Sequence, residues 1–144
     1  MQINGEWFMC DDKIERPIIR GEVLAGDGSL INVIFLLDTG ADRTVLSATD
    51  FSALHYTQEI TEFTLAGVGG LMGSLLIDTK LVLTQDNGRK ASFNGQFAVL
   101  ASYESLDYSV LGRDITNLFA VIVDRPNDLV CLINQNHTYK IEAK

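Results

Sequence analysis

The chain has 144 residues and a mass of 15.9 kDa, with 47% hydrophobic residues and a mean hydropathy of +0.14. That length fits one globular domain able to bury roughly two-thirds of its unfolded surface, and the apolar content excludes intrinsic disorder as the main description. Eleven Lys+Arg against 19 Asp+Glu give a net charge of −8. The balance argues against nucleic acid or an anionic membrane as the main partner, because both require a basic surface.

The opening stretch, MQINGEWFMCDDKIER, has no basic start and no long apolar run, so no secretory signal is expected. It is read as a loose end, in which Trp7 and Phe8 serve as an anchor onto the body, an interface piece or a pro-segment-like stretch. Pro17 to Ala25 then reads as a strand, Gly26-Asp27-Gly28 as a turn, and Leu30 to Leu37 as a second strand. Within it Val33 to Leu37 is continuously apolar, as expected for a strand buried on both faces. This is also the longest strongly apolar run, far short of a membrane span.

Ser47-Ala48-Thr49-Asp50 resembles a capping box and predicts a short helix to about Leu54. Glu62 to Ala66 and Ser74 to Thr84 are strand-like and flank the glycine-rich tip Gly67-Val68-Gly69-Gly70. Asn87-Gly88 marks a hairpin turn into Lys90 to Leu100. Asp114 to Leu118 reads as one or two helical turns. Phe119 to Val123 and Leu129 to Ile133 form a hairpin around Asp124-Arg125-Pro126-Asn127-Asp128. Its apolar strands need cover, either as a core sheet or as a dimer-interface sheet.

Short strands at this spacing with two small helices predict an all-β fold, a barrel or a sandwich. No repeat, linker or low-complexity segment divides the chain. One domain over 1–144 is expected, with its core at about 17–134 and loose ends. Cys10 and Cys131 are isolated and read as two free thiols of a reducing compartment, hence a cytoplasmic location; the alternative is a disulfide tying the two ends together.

The sharpest local feature is Leu36-Leu37-Asp38-Thr39-Gly40-Ala41-Asp42. A carboxylate directly after five apolar residues is unusual, because burying a lone charge is costly. Gly40 lets the backbone turn, leaving the acid at the end of a buried strand. Alone the tripeptide is weak, since a plain strand-to-turn junction also explains it.

Three motifs stand in a set order: Asp38-Thr39-Gly40-Ala41-Asp42 with Thr44-Val45-Leu46, the tip Gly67-Val68-Gly69-Gly70-Leu71, and Val110-Leu111-Gly112-Arg113-Asp114. Together they resemble the retropepsin-like aspartic proteases, the family of retroviral proteases and their cellular and bacterial relatives, over about Ile18 to Val130. The resemblance implies a closed β-barrel of the acid-protease fold and an aspartic endopeptidase activity. It makes Asp38 the catalytic aspartate, Thr39 a brace between the two active-site loops, and Gly40 a position whose carbonyl receives the substrate backbone. Asp42 is implied to bind substrate main chain and to pair with Arg113. Ala41 joins the substrate-binding loop, and Gly67, Val68, Gly69, Gly70 and Leu71 become a flap tip closing over the peptide. By the same analogy Arg43, Val45, Val68, Leu71, Val99 and Leu111 would form pocket walls for apolar side chains.

Hydrolysis by this route requires two carboxylates around one water, sharing a proton. The chain holds Asp-Thr-Gly once, so the partner implied is a second copy, in a C2 homodimer. No cofactor and no metal is expected: His55 and His137 lie far apart and lack a ligand cluster. The glycine-rich tip misses dinucleotide spacing, and no G-x-S-x-G elbow is present. Ala41 stands where many pepsin-type relatives carry a hydroxyl, which predicts activity at mildly acidic to near-neutral pH. Two other readings are kept: a peptide-binding module that does not cleave, which would have no need for a buried acid, and a structural β-domain of a larger assembly.

Overall fold

The computed structural model describes residues 1–56, 61–67, 70–100, 108–134 and 142, with the backbone alone for 61–67 and 70–74. In chain order the strands are β1 (Gln2–Asn4), β2 (Glu6–Met9), β3 (Glu15–Leu24), β4 (Leu30–Leu37) and β5 (Val45–Leu46). Helix α1 (Ala48–Leu54) leads to β6 (Thr61–Gly67), β7 (Gly70–Thr84), β8 (Lys90–Leu100) and β9 (Ser109–Leu111). Helix α2 (Arg113–Thr116), β10 (Ala120–Asp124) and β11 (Leu129–Ile133) complete the described elements.

Eight strands form one sheet in the order β2-β3-β4-β9-β5-β8-β7-β6, and a further β3–β7 pairing bends it back on itself. The six strands β3, β4, β9, β5, β8 and β7 therefore close into a barrel. Closure is possible because β3 divides one edge between two partners. Its first half pairs with β2 (Glu6↔Ile18 to Met9↔Glu15) and its second half with β7 (Gly21↔Leu83 to Val23↔Leu81). At the crossover stands Gly21, where a Cβ would lie 2.9 Å from Leu83 Cδ2 and 3.2 Å from Phe35 Cε2. A side chain there would hold the two strands apart.

The alternation along β3, β4, β7 and β8 points one set of side chains into the barrel. Ile19, Phe35, Leu46, Leu54, Leu83, Val99 and Leu111 are all at 0–1% exposure in one cluster. Each such burial contributes about 1.5–3 kcal/mol before entropy is counted. The opposite face of β4 supplies Leu36 to a smaller cluster of Val45, Ala98, Leu100 and Val110, with Ala41 and Leu76 packed on it. The apolar run Val33 to Leu37 is thus used on both faces, as its composition predicts.

Helix α1 starts as expected, with Ser47 accepting the Asp50 amide at 3.1 Å, and ends at His55 in the left-handed conformation (φ 50°). Helix α2 is shorter and earlier than the expected Asp114 to Leu118. Gly112 caps it, and the amides of Asn117 and Leu118 continue as turn bonds to the carbonyls of Arg113 and Ile115.

The N-terminal segment is not loose, which corrects the sequence expectation. β1 pairs with β11 (Ile3↔Leu132), and β11 pairs with β10, giving a separate three-stranded sheet. Ile3 is 1% exposed and joins Val130 and Leu132 in the main core. One apolar residue between Gln2 and Asn4 suffices once a strand from the other end of the chain supplies the ladder. Trp7 anchors on the same core, with the Arg125 guanidinium 4.8 Å from its ring centroid. In the β2–β3 turn, the Arg16 guanidinium hydrogen-bonds Asp12 at 2.6 and 2.8 Å and holds its carboxyl down at about 2.

The 119–133 hairpin is a core sheet on one face, and its apolar strands find their cover there. Cys10 and Cys131 are free and buried, so the disulfide alternative is overturned; burial raises the Cys131 thiol. The tail after Gln135, apart from exposed Glu142, lies outside the described residues.

Candidate active site

Asp38 is the first residue past β4. That strand runs parallel to β9, with Leu37 opposite Leu111. The Asp38 amide extends the ladder by one bond, donating to the Leu111 carbonyl at 3.2 Å. The chain then turns: the Gly40 amide donates to Asp38 Oδ1 at 2.9 Å, and the Ala41 amide to the Asp38 carbonyl at 3.3 Å. Asp38, Thr39 and Gly40 are all exposed. The buried acid expected from sequence is therefore a carboxylate at the rim of a buried strand, open to solvent in the single chain.

From 41 onward the loop is tied to the start of α2. The Arg113 amide donates to the Ala41 carbonyl at 2.8 Å, and the Arg113 guanidinium makes an ion pair with Asp42 Oδ1. The side chains of Asp42 and Arg113 are 81% and 46% exposed, so this pair adds little stability by itself. It joins the side chain four residues past Asp38 to the first residue of α2. Ala41 packs on the smaller apolar cluster.

Beneath that pair lies a tighter clasp. Thr44, at 1% exposure, donates both its amide (2.9 Å) and its hydroxyl (2.8 Å) to Asp114 Oδ1. The same hydroxyl accepts the Gly112 amide at 3.1 Å. A Cβ on Gly112 would stand 2.3 Å from the Arg43 carbonyl carbon and oxygen, so only glycine allows this approach. At the other end of β9, Ser109 Oγ accepts the Ser47 amide at 3.0 Å and donates to Asp50 Oδ2 at 2.6 Å.

The structure thus brings Asp38, Gly40, Ala41, Asp42 and Arg113 together, and places Thr39 exposed between them. Gly67 and Gly70 close the β6–β7 ladder as its last pair. Val68 and Gly69 lie outside the described residues, and so does the side chain of Leu71.

The expected pocket walls need correction. Val99 and Leu111 are at 0% exposure inside the barrel, and Val45 is at 9% within the smaller cluster. Strand alternation turns Val99 and Leu111 into the barrel and Val45 onto the smaller cluster, so all three support the site from below rather than line it. Arg43 is half-buried. Sequence reading missed the Thr44–Asp114 and Ser109–Asp50 bonds; the partners are 70 and 59 residues apart, and no local pattern marks their meeting. Among the described residues no cluster of His, Cys, Asp or Glu could hold a metal ion, and no helix is long and apolar enough to cross a membrane.

The family model for retroviral aspartyl protease matches residues 14–123. β1, β2 and β11 fall outside that span. Among solved structures, the chain is similar to a retropepsin-like aspartic protease from Rickettsia conorii, at 20% identity and a TM-score of 0.61, over 92% of this chain and 90% of that one. It also matches the EIAV protease complexed with the inhibitor HBY-793, at 25% identity and a TM-score of 0.48, over 71% of this chain and 86% of that one. No curated protein matches the chain.

Proposed function

The chain belongs to the retroviral aspartyl protease family, and from that membership we propose that it is an aspartic endopeptidase active as a homodimer, with Asp38 of each copy forming one carboxylate pair. The observation that carries the proposal is the state of Asp38 in the single chain. Its backbone is fixed by β9, yet its carboxylate is exposed and, among the described residues, takes one hydrogen bond, from Gly40. A rigidly held, half-satisfied carboxylate fits one half of a site.

Two such carboxylates brought together cannot both ionise and share one proton. The ionised member takes a proton from a water, which attacks the scissile carbonyl, while the protonated member donates to the carbonyl oxygen. The tetrahedral intermediate then collapses as a proton passes to the leaving amine. Thr39 braces the two loops across the axis, Gly40, Ala41 and Asp42 bind the peptide main chain, and Arg113 holds Asp42 in place. The β6–β7 hairpin, whose last described pair is Gly67 with Gly70, acts as the flap over an extended peptide.

The second copy docks along β10. Its edge opposite β11 has no strand partner among the described residues, and Val123 there is 46% exposed. The two free thiols fit a reducing compartment, and we place the enzyme in the cytoplasm.

Exposure of Asp38 also favours a second reading, a peptide-binding module, because an acid open to water carries no desolvation cost that function must justify. One experiment separates the two. A proteome-derived peptide library is incubated with wild type and with Asp38→Asn. The endopeptidase reading predicts cleavage that the variant abolishes while folding and dimerising normally. Peptide retention by both proteins without cleavage by either supports the binding module.

A further inference from the structure

The Leu111–Gly112 peptide unit is used at both ends. Its carbonyl accepts the Asp38 amide at 3.2 Å, and its N–H donates to Thr44 Oγ1 at 3.1 Å. A peptide unit is planar and rigid, so whatever orients the N–H also orients the carbonyl. Thr44 Oγ1 is itself oriented by Asp114. The hydroxyl proton points to Asp114 Oδ1 at 2.8 Å, which turns an oxygen lone pair towards Gly112. Asp114 Oδ1 also accepts the amides of Thr44 (2.9 Å) and Ile115 (3.0 Å), so the carboxylate is held from both sides.

We propose that Asp114 is a positioning residue for the reaction, acting through Thr44 and the Leu111–Gly112 peptide to set the place of the Asp38 backbone. The proposal rests on the reading of Asp38 as the catalytic carboxylate. It assigns the placement of Asp38 to this relay rather than to the Asp42–Arg113 ion pair, since the relay runs from exposed Asp114 through buried Thr44 to the very peptide that accepts the Asp38 amide. Gly112 fits the role because its peptide lies against the backbone of Arg43 and Thr44 with no room for a side chain.

The chemistry of the relay needs an acceptor at 114, not a negative charge. Asp114→Asn keeps an acceptor oxygen and Asp114→Ala removes it, so the two variants separate hydrogen bonding from charge. Thr44→Ser keeps the hydroxyl and Thr44→Val removes it.

Steady-state kinetics on a peptide cleaved by wild type, with Asp38→Asn as blank, reads the effect. Misplacing a reacting group by an ångström costs on the order of 10²-fold, so Asp114→Ala and Thr44→Val are expected to lose roughly that much kcat with KM changed by less than about threefold. Asp114→Asn and Thr44→Ser are expected to restore most of it. Amide hydrogen exchange supplies a readout free of activity. In Asp114→Ala the Asp38 amide should exchange at least about tenfold faster while amides of the β7–β8 ladder keep their rates.

A purely structural role would lower thermal stability and leave the kcat of the folded fraction intact; that result, or an unchanged Asp38 amide in Asp114→Ala, overturns the proposal. Should Thr44→Val not fold, Asp114→Ala, which removes an exposed side chain, decides alone. Absence of Asp38-dependent cleavage by wild type would refute the endopeptidase reading and the kinetic role of the relay together, and the Asp38 amide would then show separately whether the relay holds the loop.

Discussion

Ala41 sets the electrostatics around Asp38 by what it lacks. Its amide donates to the Asp38 carbonyl, its methyl group packs on the small apolar cluster, and it offers the carboxylate no hydroxyl. Among the described residues the donor to the Asp38 carboxylate is the Gly40 amide. Adding a donor favours the ionised form, so Ala41→Ser should move the acid limb of the pH–rate profile to lower pH. Wild type should work best at mildly acidic to near-neutral pH; a profile peaking below about pH 3 would contradict the proposed carboxylate pair in this setting. At this scale the sequence was informative where residues act in short motifs. The turn at Asp38 to Gly40 was legible because turn chemistry is local, whereas the pairing of Asp42 with Arg113, 71 residues apart, came only through the family resemblance. The partnership of Thr44 with Asp114 was not legible, because its two halves meet only after β9 threads between β4 and β5. Val99 and Leu111 were misplaced on the pocket wall for a related reason. Which face of a strand looks inward depends on its register, and a two- or three-residue pairing such as β5–β8 or β4–β9 leaves little pattern to read.

Elements divide in the same way. The long hairpins β3–β4 and β7–β8 were legible from β-branched runs and from turn signals such as Asn87-Gly88, where the Arg89 amide bonds Asn87 Oδ1 at 2.9 Å. β1 and β2 were not, since three or four residues become a strand only when partners elsewhere accept them. Their recovery changes the reading of the terminal hairpin. With β1 on one side of β11, the sheet is completed on that side within the chain, and β10 keeps a free edge among the described residues. A lysine on an edge strand blocks strand addition. Val123→Lys, at a position already 46% exposed, should leave the monomer folded and lower the dimer fraction measured by sedimentation, with activity lost on dilution. A variant that dimerises as tightly as wild type would place the interface elsewhere.

The whole molecule carries a net charge of −8, so two copies approach against their own repulsion. Screening lengths fall from about 30 Å at 0.01 M salt to about 8 Å at 0.15 M, and the dimerisation constant should tighten across that range. A dimer that weakens as salt rises would mean that attractive ion pairs dominate the interface. An all-β fold, barrel or sandwich, was legible from strand count and spacing, and the family resemblance pointed to the barrel; the closing β3–β7 contact was not legible, because it depends on the missing side chain of Gly21.

In the proposed enzyme, one active site takes an Asp38 from each of two copies. Mixtures of wild type and Asp38→Asn, refolded together at varied ratios and fixed total concentration, test it most directly. If both carboxylates are required, activity follows the square of the wild-type fraction, and an equal mixture retains about one quarter. Activity falling in simple proportion, to about one half in the equal mixture, would show that each copy acts alone and would contradict the account.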